Sequence, residues 1–100
     1  IPNNNLIDGL PKDIVVEVPG KINRNGVTGV RLGNYPSSFR SLLNNQVGVI
    51  QLTTDAVLNK SKHSAYLAML ADPVVDNPKA AENLLETMLD VQKEYLGYLS

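Results

Sequence analysis

One hundred residues, 43% apolar and 19% charged, place the chain in the globular range and support one hydrophobic core, not two. Nine basic and ten acidic residues leave a net charge of −1, so no overall electrostatic case exists for nucleic acid or an anionic membrane as partner. The lack of cysteine excludes disulfides, thiolate metal sites and cysteine nucleophiles from this chain. No apolar run approaches the roughly 18 residues that span a bilayer, and no signal-peptide pattern opens the sequence; a cytoplasmic location is the default expectation. The opening Ile1-Pro2 lacks an initiator methionine, as expected of a processed protein or a piece of a longer one.

The lead-in IPNNNLIDGLP reads as a loop, because asparagine and glycine tolerate positive φ and asparagine side chains satisfy nearby backbone groups. It also suits a ligand-facing role, since neutral amides recognise hydroxyls without imposing charge. The stretch Leu10 to Pro19, LPKDIVVEVP, follows. Its β-branched Ile14, Val15, Val16 and Val18 favour an extended strand over Asp13 to Val18. Alternation then puts Ile14, Val16 and Val18 on one face and Val15 with Glu17 on the other. Asn23-Arg24-Asn25-Gly26 is a turn signal between extended segments, which predicts a β-hairpin whose second arm is VTGVRL at 27–32. Gly29 within that arm marks a bulge or a close backbone approach.

Beyond Gly33-Asn34-Tyr35-Pro36, a first helix is predicted from about Ser38 to Leu58, with Phe39, Leu43, Val47 and Ile50 on its apolar stripe. Gly48 inside it is either a packing necessity or a weak point. Ser61 caps a second helix over Lys62 to Ala71, whose AYLAML segment is apolar nearly all round. Asp72-Pro73 stops it. Asn77-Pro78 opens a third helix, expected to run to about Leu96 with Ala81, Leu84, Leu85, Met88, Val91 and Tyr95 facing inward. The expected architecture is α+β: loop, β-hairpin, then three helices.

Self-contained chemistry is not evident. His63, the one histidine, has no spaced partner and reads as a surface or satisfied residue. No glycine-rich phosphate loop follows a strand. Asp13 and Glu17, four apart on a strand, stand about 13 Å from one another, too far for the usual glycosidase carboxylate pairings. Asp55, Asp72 and Asp76 read as surface or capping groups, and Tyr66, Tyr95 and Tyr98 as core or interface aromatics.

NNNLIDGLPKDIVVEVP nevertheless resembles a pattern of family 4 glycoside hydrolases, N-N-G-x-I-x-x-L-P-x-D-x-V-V-E-V-P, found near their C-terminal end. NRNGVTGVRLGNYP is similar to the family's N-G-x-x-P-x-x-x-G-x-L-P. IQLTTDAVL, AMLADPVV and LLETMLDV resemble further family segments, in family order and across essentially the whole chain. Asn5 stands where the pattern has glycine, Thr28-Gly29 near its expected proline, and Asp55 in place of a glutamate.

The resemblance implies a C-terminal fragment of an NAD- and manganese-dependent glycosidase, acting on α-glucosides, α-galactosides or 6-phospho-glycosides. Such enzymes join an N-terminal NAD-binding domain, absent from this chain, to a substrate domain similar to that of lactate and malate dehydrogenases. They oxidise the sugar transiently at C3 and eliminate the aglycone, a departure from two-carboxylate hydrolysis. The cysteine and histidine that hold the metal, the general base and the NAD loop lie upstream in the family, so no catalytic, cofactor or metal residue is carried onto this chain. Its expected job is to complete the sugar pocket, with Asn3 and Asn4 as substrate-binding residues, and to supply contacts to the rest of the enzyme and to other subunits. The alternative is a small stand-alone interaction domain that docks or dimerises through its apolar second helix.

Overall fold

A computed structural model describes residues 1–100. Its elements in order are a hairpin of β1 (Gly20–Asn23) and β2 (Gly26–Gly29), then α1 (Ser37–Leu58), α2 (Lys62–Ala71), α3 (Pro78–Val91) and the short α4 (Lys93–Leu96). The expected α+β order of hairpin followed by helices is what folds. The chain divides into two compact units, Ile1–Asn44 and Asn45–Ser100, with α1 running through the division.

In the first unit the hairpin is shorter than expected and begins after Pro19. β1 and β2 pair antiparallel, with Ile22 opposite Val27 and Gly20 opposite Gly29. Gly26 carries the positive φ of the turn, +113°, which is why the glycine of Asn25-Gly26 is required there. The segment Asp13–Val18 is not a regular strand, contrary to its composition. It makes one isolated bridge, Val15 to Pro2, supported by reciprocal bonds between Ile1 and Val16. The only extended chain it meets is the short run at residues 1–4, too brief for a ladder. The alternation nevertheless holds: Ile14, Val16 and Val18 are half-buried while Val15 and Glu17 are exposed. Close approach, not a bulge, explains Gly29. A Cβ built there would lie 2.5 Å from Ile1 Cδ1 and 2.8 Å from Leu6 Cδ1.

The helices of the second unit begin and end where cap chemistry dictates. Ser61 Oγ accepts the Ser64 amide at 3.1 Å, and Asn77 Oδ1 accepts the Ala80 amide at 3.0 Å ahead of Pro78. α1 ends on Lys60, held at φ +53°, with the Ser61 amide returning to the Ala56 carbonyl, a Schellman closure built without glycine. The third helix breaks sooner than expected, at Gln92, and resumes as the single turn of α4. The Ser100 and Lys60 main chains bond at 3.0 Å, and the Lys62 amide donates to Ser100 O, also at 3.0 Å, which folds the tail onto the α1–α2 junction.

The core is small. Buried apolar residues are Ile7 in the first unit and Val47, Ala56, Ala68 and Ala81 in the second. Several residues expected to face inward do not: Leu84, Val91 and Tyr95 on α3 and α4 are 52%, 69% and 69% exposed, as are Phe39 and Ile50 of α1 at 55% and 51%. Ala81 and Leu85 do turn inward as expected, buried and half-buried, and Leu89, outside the expected set, joins them. With apolar residues at both 84/88/91/95 and 81/85/89/96, periodicity marks two stripes and cannot choose between them.

Candidate functional site

The amide-rich loop at the start of the chain holds the one buried polar side chain, that of Asn3. Asn4 and Asn5 sit at φ +41° and +68°, and the Leu6 amide donates to the Asn3 carbonyl at 2.6 Å. Two consecutive left-handed residues closed by an i to i+3 bond have the pattern of a type I′ turn, which asparagine accepts better than any other side-chain-bearing residue. Asn5 thereby does the backbone work of the glycine it replaces.

Asn3 is fully buried, at 0% exposure. Its Nδ2 donates to the carbonyls of Ile7 (3.0 Å), Leu10 (3.1 Å) and Pro11 (3.1 Å), and its Oδ1 accepts the Ile7 amide at 2.7 Å. Its own amide donates to Ile14 O at 2.8 Å. Every polar group of Asn3 is therefore spent on the backbone of residues 6–14. Asn4 differs: its main-chain amide is tied to Lys12 O at 2.9 Å, while its side chain is exposed and free of protein partners.

The far side of the loop is fastened by residues that sequence reasoning did not single out. Arg31 Nη2 donates to both oxygens of Asp8, at 2.8 and 2.9 Å. Asn44 Nδ2 donates to Gly9 O at 3.1 Å, and the Arg40 stem packs beside Gly9, whose φ is +84°. These partners lie 23 and 35 positions apart, and no local spacing announces them.

The remaining candidates fall elsewhere. Glu17 is exposed and enters no ion pair, so the one glutamate of LPKDIVVEVP is a surface group. His63 is exposed and lines, with Lys62, Tyr66 and Glu86, a cleft of about 360 Å³. Tyr66 donates to Pro78 O at 3.3 Å, and Lys62 pairs with Glu86. The hydrogen bond and charge of Lys79, at 2.6 Å, hold the Glu82 carboxyl below its ordinary range, and Glu82 raises Lys79 in return. An apolar cavity of about 380 Å³ lies within the second unit, lined by Val49, Ala56, Ala65, Met69, Leu85 and Leu99.

No group of three or more His, Asp or Glu side chains could hold a metal ion. The glycines occupy turns, the hairpin, the interior of α1 and the end of α4; Gly33 alone lies in the connection from β2 to α1, without the glycine-rich spacing that cradles a dinucleotide. The residues present therefore form no site of their own for manganese or NAD. No helix is long and apolar enough to cross a membrane.

Comparison with known proteins finds the relatives of this chain among glycosidases. A family model described as the family 4 glycosyl hydrolase C-terminal domain matches residues 1–75. An alpha-glucosidase of Erwinia rhapontici is 36% identical over 99 residues, 99% of this chain and 22% of that protein. The phospho-alpha-glucosidase PagL of Clostridium acetobutylicum is 32% identical over 97% of this chain, again 22% of its own length. Among solved structures, a 6-phospho-alpha-glucosidase from gut microorganisms, in complex with NAD and glucose-6-phosphate, superposes with a TM-score of 0.85 at 30% identity. That match covers all of this chain and 22% of the other. The chain thus spans about a fifth of the length of the relatives it matches.

Proposed function

Because the chain belongs to the family 4 glycosyl hydrolase C-terminal domains, we propose that it completes the sugar-binding half of an NAD- and manganese-dependent glycosidase and does not itself react. In this reading residues 1–100 are the C-terminal part of a longer cytoplasmic enzyme, and the NAD-binding domain, the metal ligands and the general base lie upstream. Oxidation at C3 and elimination of the aglycone belong to those upstream groups.

The observation that carries the reading is that the whole of this chain is structurally similar to about a fifth of a 6-phospho-alpha-glucosidase, while its own residues supply neither a metal-ligand cluster nor a phosphate loop. A domain with this fold and no catalytic set contributes by shaping a pocket and by contacts. The pocket-facing element is the loop opened by Asn3 and Asn4, whose exposed amide suits sugar hydroxyls, donating and accepting at once. The substrate class is a glucoside, with a 6-phospho-α-glucoside favoured by the relatives. The exposed apolar stripes of α1 and α3 are covered by the rest of the same polypeptide and by a second subunit.

Two assays test this. Incubated with NAD, Mn²⁺ and aryl α-glucosides, phosphorylated or not, the 100-residue chain alone gives no product, whereas the longer polypeptide turns one of them over. In that polypeptide Asn4→Ala raises KM or lowers kcat. Turnover by the isolated chain, or unchanged kinetics in the variant, overturns the corresponding half of the proposal.

A further inference from the structure

The three consecutive asparagines do two different jobs, and their division of labour suggests how the loop is set. Asn3 cannot touch a ligand: it is fully buried, and its amide is already shared among four backbone partners between 2.7 and 3.1 Å. Asn4 and Asn5 are exposed, neither side chain has a protein partner, and both sit in the left-handed region. Holding side-chain-bearing residues at positive φ twice in succession is unfavourable unless the surroundings dictate it. The buried amide of Asn3 is what dictates it here, since it fixes the far end of the turn at Ile7 and the return of the chain at Leu10 and Pro11.

We infer that Asn3 is a positioning residue that acts through a rigid turn, and that Asn4 and Asn5 form an amide pair that recognises neighbouring hydroxyls of the sugar. The inference rests on the reading that this loop faces the substrate, and it adds Asn5 as a specificity-determining residue. Position 3 requires an amide. Its carbonyl oxygen must accept from Ile7 N while its NH₂ donates to three carbonyls. A carboxylate keeps the acceptor and loses every donor, placing a negative charge against three carbonyl oxygens. A protonated carboxyl regains one donor.

The experiment uses the full-length polypeptide and whichever aryl glucoside it turns over. Asn4→Gly and Asn5→Gly keep the left-handed turn and remove one amide each. Each is expected to raise KM about three- to tenfold, the equivalent of one neutral hydrogen bond, by a factor independent of pH. Asn3→Asp is expected to raise KM at least as much at neutral pH with kcat held. As pH is lowered its KM relative to wild type should fall, because protonation restores a donor. Unchanged KM in both glycine variants overturns the sugar-facing reading itself. Raised KM in those variants with unchanged KM in folded Asn3→Asp, or a rise that ignores pH, overturns the positioning role alone. Should Asn3→Asp fail to fold, hydrogen exchange on the wild-type protein decides the clamp. The Ile7 amide and the Asn3 side-chain protons are expected to be protected, and exchange at the rate of exposed amides overturns it.

Discussion

At the scale of single residues, the first unit is organised by one buried amide where a buried apolar side chain would ordinarily stand. Asn3 is the only fully buried side chain, and it carries four hydrogen bonds. A buried polar group is tolerable only when all its bonds are made, and the surrounding carbonyls make them. Charged residues act more weakly, because their pairs lie at the surface. The Lys79–Glu82 pair titrates with a clear sign. The depressed Glu82 makes the pair's contribution complete above the ordinary carboxylate value of 4.5 and lost as pH falls through its folded value. The raised Lys79 keeps that contribution below the ordinary lysine value of 10.5 and loses it as pH rises through its own folded value. An NMR titration should place the Glu82 midpoint below that of a free glutamate. In Lys79→Met it should return upward, and an unmoved midpoint would sink the assignment to Lys79.

At the scale of elements, caps and turns decide boundaries more firmly than apolar patterns do. α2 and α3 start at Ser61 and Asn77 because each side chain accepts an amide that the helix leaves unpaired. α1 crosses Gly48, where nothing lies within 4 Å of an added Cβ. That settles the two readings of this glycine in favour of a weak point. Gly48→Ala is therefore expected to stabilise the chain by about 1 kcal/mol, since it removes backbone freedom from the unfolded state without a clash. The urea midpoint should move up; a downward shift would mean that the site is crowded after all.

At the scale of the whole chain, the few buried apolar residues contrast with the apolar side chains left in water. Three of the five buried ones are alanines, while Ile22, Leu58 and Val74 are 83%, 73% and 85% exposed. Apolar surface of this extent is what a domain shows when a larger body normally covers it. The isolated 100-residue chain is expected to self-associate and to bind an apolar dye. Sedimentation across a concentration series that returns a monodisperse monomer without dye binding would count against that cover.

By itself the sequence determined the chain order of hairpin and helices, the caps at Ser61 and Asn77, the turn at Asn25-Gly26 and the family pattern. All of these depend on residues within a few positions of one another, and local chemistry is enough to specify them. Tertiary structure alone decided the rest. Whether Asp13–Val18 becomes a strand depends on the length of the partner it meets, which is only residues 1–4. Which of two apolar stripes on α3 turns inward depends on its packing against α2. Three like asparagines in a row separate into one clamp and two exposed amides only when Ile7, Leu10 and Pro11 close around the first of them.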